Sequence, residues 1–186
     1  MRIIAGTFRG RKLTSPPSLK TRPTSDRLRE TLFNILAPRI EGARFLDLCA
    51  GSGAVGIEAL SRGAAHVTFV DQSQEMCALI ESNLNSLEIA QSEYRVVLAD
   101  TSGYLHRHVK NGARPFDKIF FDPPYVTDYE ALLNFIGEHS TQILEADGIV
   151  IVEHHKKKLL PTQFNALTRY RELRQGDSAL SFYRIS

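Results

Sequence analysis

Short apolar runs alternate with helical spacings of apolar residues over most of the chain after residue 44. The candidate strands are residues 45–48, 67–70, 95–98, 118–121 and 148–152, and the candidate helices are those starting at residue 54, at 73–87, near 101–109 and at 129–144. Strands of this length that alternate with helices are typical of parallel sheets that are covered on both faces. We therefore predict an α/β fold with a doubly wound, mostly parallel sheet.

The two ends of the chain depart from this alternation. Residues 2–6 and 9–13 are β-like and are interrupted by glycines, which predicts an N-terminal hairpin. A helix with the apolar stripe Leu28, Leu32, Ile35 and Leu36 follows, capped by Thr24 or Ser25 and ending near Pro38. Residues 168–174 and 179–185 alternate around a turn and predict an antiparallel hairpin. We expect residues 1–40 to be an extension on a core of residues 41–186.

Length and composition indicate one ordinary globular domain. The chain has 186 residues, of which 42% are hydrophobic and 24% are charged, close to the usual composition of globular proteins. It has no apolar segment that resembles a signal peptide or a membrane span, so we expect a cytoplasmic protein without membrane association. Cys49 and Cys77 are too few for a disulfide framework, and we expect neither disulfides nor a metal site.

Positive charge is concentrated near the N-terminus. Residues 1–44 contain ten Lys and Arg against three acidic residues, whereas the remaining residues carry a net charge of −5. A basic segment on an acidic body indicates localised contact with a polyanion. The candidate RNA-binding residues are Arg9, Arg11, Lys12, Arg22, Arg27 and Arg29, and we expect Arg27 and Arg29 to lie off the apolar stripe of their helix.

A glycine-rich turn follows the first candidate strand of the core. Residues 51–56 match G-x-G-x-x-G between a strand and a helix, which suits a nucleotide-like ligand because glycines let it approach the backbone. Nicotinamide oxidoreductases and S-adenosylmethionine enzymes both use such turns. Asp47 favours a ligand with a cationic amino-acid end over a pyrophosphate. Asp71 could bind ribose hydroxyls, and Asp100 could either bind an adenine amine or cap a helix.

The tetrapeptide Asp122-Pro123-Pro124-Tyr125 follows the fourth candidate strand. The two prolines hold this turn rigid, so that the Asp122 carboxylate and the Pro123 carbonyl are both presented as acceptors for an amine. Two acceptors on an exocyclic amine would localise charge on its nitrogen as it attacks a methyl sulfonium. Tyr125 offers a flat face on which an extruded base can stack.

These motifs resemble those of a known family. Asp122 to Tyr125 are similar to the signature of amino-methyltransferases, and Asp47-Leu48-Cys49-Ala50-Gly51-Ser52-Gly53 resembles the S-adenosylmethionine loop of class I methyltransferases. The blocks Arg2 to Gly6, Arg9-Gly10-Arg11, Arg22-Pro23-Thr24, Asp26-Arg27, Arg29-Glu30 and Leu32-Phe33-Asn34 resemble the RsmD family, as does the closing hairpin with Gly176 to Tyr183. The resemblance therefore covers nearly the whole chain.

The resemblance implies a seven-stranded class I methyltransferase fold and S-adenosylmethionine as methyl donor. Its implied substrate is the exocyclic N2 of a guanine in 16S ribosomal RNA, presented within an assembling small subunit to a monomeric enzyme. The implied catalytic residues are Asp122, Pro123, Pro124 and Tyr125. The implied cofactor-binding residues are Asp47, Ala50, Gly51, Ser52, Gly53, Gly56, Asp71 and Asp100.

Other functions remain open at this stage. The same tetrapeptide can hold adenine N6 or cytosine N4, so another DNA or RNA amino-methyltransferase is the nearest alternative. A non-catalytic RNA-binding assembly factor is an alternative of a different class, although the intact glycine turn and tetrapeptide argue against it. A nicotinamide oxidoreductase is the weakest alternative.

Overall fold

The computed structural model describes residues 1–15, 25–123 and 129–186, which form two compact units, Met1–Thr101 and Ser102–Ser186. The first unit contains α1 (Asp26–Leu36), β1 (Arg44–Leu48), α2 (Ala54–Ser61), β2 (His66–Asp71), α3 (Gln74–Ser86) and β3 (Tyr94–Leu98), with 3₁₀ turns at Ala37–Arg39 and Gln91–Glu93. Within the described ranges, no helix is long and apolar enough to cross a membrane. The predicted boundary between residues 40 and 41 stays a prediction.

The sheet of the first unit is parallel. β2 lies between β1 and β3, with Leu48 opposite Val70 and Asp71 opposite Leu98. Phe45 and Phe69 are fully buried, and every residue of α2 is buried as well. Because the strands are parallel, the segments that follow β1, β2 and β3 emerge at the same edge of this sheet.

The N-terminal segment, residues 1–14, doubles back as predicted but does not form two strands. Ile3 N–H donates to Arg11 O at 3.0 Å, and Arg2 and Lys12 form a single antiparallel bridge. The backbone N–H groups of Ile4 and Ala5 donate instead to the Glu58 carboxylate of α2. The hairpin is short because the N–H groups of Ile4 and Ala5 are bonded to Glu58 of helix α2, and so are not available to pair with residues 9–13.

Helix α1 begins where the sequence indicates. Ser25 is its N-cap, and the Ser25 hydroxyl accepts a hydrogen bond from Leu28 N–H at 3.2 Å. The alternative cap, Thr24, lies outside the described residues. The helix ends at Leu36, directly before the 3₁₀ turn that contains Pro38.

The second unit combines a parallel pair of strands with an antiparallel region. Its elements are α4 (Thr101–Lys110), which starts at the last residue of the first unit, β4 (Phe116–Phe121), α5 (Tyr129–Glu138), α6 (Ser140–Ile143), β5 (Leu144–His155), β6 (Gln163–Phe164), β7 (Leu167–Gln175) and β8 (Ser178–Ile185). β4 pairs in parallel with β5, β5 pairs antiparallel with β8, and β7 lies between β8 and β6. The C-terminal hairpin is confirmed, with Gln175 opposite Ser178.

Three features of the second unit differ from the sequence predictions. The helix expected over residues 129–144 is divided at His139 into α5 and α6. The strand expected at 148–152 is longer, because β5 runs from Leu144 to His155. The two-residue strand β6 was not predicted, and the described residues contain eight strands rather than seven.

Candidate active site

The glycine turn connects β1 to α2 through three residues in the left-handed region. Cys49, Gly51 and Gly53 have φ angles of 59°, 54° and 75°. Ala50 N–H donates to Val70 O at 3.1 Å, and Gly53 N–H donates back to Ala50 O at 2.8 Å. The turn therefore reverses the chain sharply and leads into the N-terminus of α2, the end of a helix that favours an anionic ligand group.

The glycines of this turn serve different purposes. A Cβ at Gly51 would meet nothing within 4 Å, so the protein leaves open space beside this residue. A Cβ at Gly53 would lie 3.0 Å from Ile80 Cγ1, and one at Gly56 would lie 2.2 Å from Phe69 Cε1. Gly51 thus borders space for a ligand, whereas Gly56 allows α2 to pack closely on β2.

Asp71, at the end of β2, holds the glycine turn. Its Oδ2 accepts a hydrogen bond from Gly51 N–H at 2.8 Å, and its Oδ1 accepts one from Ser73 N–H at 2.9 Å. Each carboxylate oxygen can accept a further hydrogen bond. The predicted contact of Asp71 with ribose hydroxyls stays a prediction, and its support of Gly51 adds a role that the sequence did not indicate.

Asp47 lies inside the first unit, with only 2% of its surface exposed. Its Oδ2 accepts a hydrogen bond from Gly56 N–H at 2.9 Å. Burial, with a smaller contribution from the charge of Asp71, raises the pKa of the Asp47 carboxyl to about 8, although the Gly56 hydrogen bond opposes this shift. The sequence analysis assigned Asp47 to a cationic cofactor end. That assignment stays a prediction, and the geometry gives Asp47 a direct role in fixing the start of α2.

The end of β3 and the residues that follow it offer two exposed side chains. Asp100 is exposed directly before α4, and Leu98, the last residue of β3, is 56% exposed. Leu98 lies two residues before Asp100, so the two exposed side chains are close together in the chain. A planar apolar group could cover Leu98 while an amine contacts Asp100.

Asn83 of α3 is a residue of this region that sequence reasoning missed. It is 2% exposed, and its Nδ2 donates to Ser52 O at 3.3 Å within the glycine turn. The sequence did carry one indication of this role. Asn83 is a polar residue on the same face of α3 as Ile80 and Leu84, which are also buried. Buried amides are normally hydrogen-bonded, which could have marked Asn83 as a structural contact.

The first two residues of the tetrapeptide lie directly after β4. Asp122 is half-buried and Pro123 is buried, whereas Pro124 and Tyr125 lie outside the described residues. The hydroxyl of Tyr129, at the start of α5, donates to Pro123 O at 3.4 Å. Lys158 Nζ lies 3.8 Å from the centre of the Tyr129 ring. The predicted catalytic roles stay predictions, and Tyr129 is an additional group that contacts the Pro123 carbonyl.

Several predicted RNA-binding residues lie on the surface of the first unit. Arg9, Arg11, Lys12 and Arg27 are exposed, and Arg22 lies outside the described residues. A groove of about 430 Å³ brings Arg9 and Arg27 together with Arg2, beside Asp26 and Glu30. Arg11 lies elsewhere and donates through Nη2 to Ser86 O at 2.7 Å. The groove thus places two of the predicted arginines side by side.

The prediction that Arg29 lies off the apolar stripe of α1 is wrong, because its side chain is fully buried. Its Nη2 donates to Arg2 O at 2.6 Å and to Asp26 Oδ1 at 3.0 Å, and its Nε lies 3.8 Å from Glu58 Oε2. Burial lowers the pKa of Arg29. Phe33, one turn later, is also fully buried and widens the apolar face so that it includes Arg29. Arg29 is therefore not available at the surface for phosphate contact.

Comparison with known proteins gives the family of the chain. A family model described as Conserved hypothetical protein 95 matches residues 1–184. Ribosomal RNA small subunit methyltransferase D from Escherichia coli (strain K12) is 37% identical over 185 residues, which cover 99% of this chain and 89% of that protein. The chain belongs to the RsmD family of ribosomal RNA methyltransferases.

Two further comparisons agree with this membership. The RsmD relative from Haemophilus influenzae is 34% identical over 186 residues, 100% of this chain and 92% of that protein. The solved structure of yhhF from Escherichia coli has a TM-score of 0.83 and 35% identity, and covers 100% of this chain and 98% of that one. The predictions of the RsmD family, of the α/β methyltransferase fold and of a methyltransferase are confirmed.

Proposed function

We propose that this protein transfers the methyl group of S-adenosylmethionine to the exocyclic N2 of a guanine in 16S ribosomal RNA. The observation that carries the proposal is the glycine turn, in which Asp71 fixes Gly51 and open space lies beside Gly51. The RsmD relative from Escherichia coli is named for methylation of small-subunit ribosomal RNA. Geometry and family therefore support the same reaction.

The described residues fit the proposed cofactor. The open space beside Gly51 can admit a ligand close to the backbone, and the N-terminus of α2 can receive its carboxylate. Asp71 would accept hydrogen bonds from the ribose, and Asp100 and Leu98 would contact the adenine. When bound, S-adenosylmethionine supplies an electrophilic methyl group on a sulfonium.

Asp122 and Pro123 would orient the nucleophile. The lone pair of an exocyclic guanine nitrogen is delocalised into the ring, which makes this nitrogen a poor nucleophile. The Asp122 carboxylate and the Pro123 carbonyl would accept hydrogen bonds from its two N–H groups and so stabilise the positive charge that develops on the nitrogen as it attacks the methyl group. Asp122 would also take the proton that the amine must lose. Tyr125 would stack on the target base, and Pro124 would limit the conformations of the turn.

The basic N-terminal segment would contact the phosphates of the RNA. Phosphate contacts position a nucleic acid, whereas contacts with the base determine which atom reacts. Arg9 and Arg27 line one groove with Arg2, and their three positive charges exceed the two negative charges of Asp26 and Glu30 in the same groove. We propose a monomeric enzyme that acts in the cytoplasm on the assembling small subunit.

Methyl transfer to small ribosomal subunits tests the proposal. Subunits are purified from cells that lack the protein and are incubated with the pure protein and labelled S-adenosylmethionine. We expect one N2-methylguanosine in the 16S RNA by mass mapping, and none with Asp122→Ala. Label on adenine N6 or cytosine N4 would indicate another amino-methyltransferase. Tight RNA binding without any methyl transfer would indicate an assembly factor. Reduction of an added nicotinamide nucleotide, in a parallel assay, would indicate an oxidoreductase.

A further inference from the structure

The N-terminal segment, residues 1–14, is bound along helix α2. The Glu58 carboxylate accepts hydrogen bonds from Ile4 N–H at 2.8 Å and from Ala5 N–H at 3.0 Å. Ser61 O accepts one from Thr7 N–H at 2.8 Å. Glu58 and Ser61 are buried, so the acceptor side of these hydrogen bonds is shielded from water. The basic segment is therefore fixed to the helix that begins at the glycine turn.

Asn83 makes a second and more direct connection. Its Oδ1 accepts a hydrogen bond from Thr14 N–H at 2.9 Å, and its Nδ2 donates to Thr14 O at 3.1 Å and to Ser52 O at 3.3 Å. One planar amide thus contacts both the end of the N-terminal segment and the middle of the glycine turn. A shift of Thr14 would therefore change two hydrogen bonds of the same amide that contacts Ser52.

The orientation of the Ser52 peptide depends on such contacts. Ser52 lies between Gly51 and Gly53, both of which have positive φ and can adopt many backbone conformations. Asp71 restrains the N–H of Gly51, and Asn83 restrains the carbonyl of Ser52. Because the turn borders the proposed cofactor site, a fixed Ser52 peptide lowers the conformational entropy lost on cofactor binding.

We propose that Asn83 is a positioning residue that couples RNA binding at the N-terminal segment to cofactor binding at the glycine turn. This inference rests on the proposed function. RNA that holds the segment also holds Thr14, and through Asn83 it holds Ser52 in the conformation that the cofactor needs. By thermodynamic linkage, the cofactor must raise RNA affinity by the same factor.

The test measures coupling with S-adenosylhomocysteine, which binds without reacting. Its affinity is measured in the absence and presence of small subunits from cells that lack the protein. In the wild type, we expect subunits to increase the affinity about 5-fold or more, the usual lower range for allosteric coupling. Asn83→Asp keeps the acceptor for Thr14 N–H but places an anionic oxygen against two carbonyls, so the increase should disappear. The affinity of Asn83→Asp for S-adenosylhomocysteine in the absence of RNA should fall roughly 2- to 10-fold.

Asn85→Asp is the matched control, because it makes the same change at an exposed position of α3. It should keep the wild-type coupling. If Asn83→Asp unfolds, amide hydrogen exchange in the wild type tests the coupling instead. Binding of small subunits in the absence of cofactor should slow the exchange of the backbone amides of residues 51–53.

Two results would overturn this inference alone: full coupling in folded Asn83→Asp, or unchanged exchange at 51–53 in a wild type that methylates subunits. A wild type that neither binds nor methylates subunits would instead overturn the proposed function, and this inference with it.

Discussion

The Asp47 carboxyl accepts a hydrogen bond from the Gly56 backbone N–H, with 2.9 Å between Oδ2 and N. This contact joins β1 to the first turn of α2 across the glycine turn. Gly56 itself lies so close to Phe69 that a Cβ would meet the ring. Asp47, Gly56 and Phe69 therefore form one packed unit beneath the turn, and their effects on stability and on cofactor binding should be separable.

Stability should depend on pH through Asp47. Its pKa is raised from 3.8 to about 8 in the folded protein, so the folded state holds one more proton than the unfolded state between these values. The contribution of Asp47 to the free energy of unfolding is present at low pH and is lost as pH rises towards 8, by up to ~1.4 kcal/mol per pH unit. Asp47→Asn does not titrate and should lack this slope.

Urea unfolding of the wild type and of Asp47→Asn between pH 5 and pH 8 checks this prediction. The difference in unfolding free energy between the two proteins should change steadily with pH. Glu75→Gln, which removes a carboxylate from an exposed site in the first turn of α3, is the control variant and is measured over the same pH range. A constant difference between wild type and Asp47→Asn would mean that Asp47 is ionised in the folded state.

Gly51→Ala should weaken cofactor binding, whereas Gly56→Ala should act through its packing against Phe69. Gly51→Ala introduces a left-handed residue at a cost of ~1–2 kcal/mol, but its methyl group meets no protein atom and would enter the cofactor space. We expect S-adenosylmethionine affinity to fall at least ~10-fold, equivalent to ~1.4 kcal/mol. Gly56→Ala places a methyl group against Phe69, so stability should fall by ~1–3 kcal/mol.

Gly112→Ala is the matched control for Gly51→Ala. Gly112 also has positive φ, at 58°, and its Cβ would meet nothing within 4 Å. The two variants should lose similar stability in thermal unfolding, whereas calorimetry should show weaker cofactor binding for Gly51→Ala alone. Equal cofactor affinity in both variants would show that the space beside Gly51 is not used.

The order of strands and helices could be predicted because local patterns determine it. The apolar runs around Phe45, Phe69 and Phe120 are buried strands, and Ser25 caps α1 as its sequence position indicates. The Gln175 and Ser178 pair closes the hairpin that the alternation of residues predicted. These features depend on residues close together in the chain, so periodicity and turn chemistry suffice.

The contacts around the glycine turn could not be predicted because they join residues far apart in sequence. Asn83 reaches both Thr14 and Ser52, and Glu58 takes the N–H groups of Ile4 and Ala5. The burial of Arg29 has the same origin, since its partners Arg2 and Glu58 lie on other segments. The local sequence pattern predicts that a charged residue is exposed. The groups that compensate a buried charge come from distant segments and are known only from the fold.

Replacement of Asp122 should affect catalysis more than cofactor binding. Asp122→Asn keeps the shape of the side chain but offers a weaker acceptor and no base. We expect the single-turnover rate of methyl transfer to fall ~10²-fold or more, the usual effect of losing one preorganised polar contact with the transition state. Asp147→Asn, at an exposed position of β5, is the control. Near wild-type turnover of Asp122→Asn would show that Asp122 is structural.

The last prediction separates arginines that contact RNA from an arginine that stabilises the fold. Arg9 and Arg27 line the same groove, and their guanidinium groups would neutralise RNA phosphates. Each lost phosphate contact should reduce the slope of log affinity against log salt by ~0.7 to 0.9. The double variant Arg9→Ala/Arg27→Ala should therefore bind small subunits more weakly and with a flatter salt dependence, while single-turnover transfer at saturating subunits persists.

Arg29→Met should behave differently, because Arg29 compensates the buried Glu58 rather than facing solvent. Glu58 keeps its ion pair with Arg62, at 2.7 Å, but Arg29→Met loses the hydrogen bonds to Arg2 O and to Asp26, so the midpoint of thermal unfolding should fall, at a cost of ~1 to 3 kcal/mol. The salt slope of RNA binding should stay at the wild-type value while the variant is folded. Arg114→Ala, an exposed arginine of the second unit, should change neither property. An unaltered salt slope in the double variant would refute the assignment of the groove to phosphate contact, because two neutralised charges cannot leave counterion release unchanged.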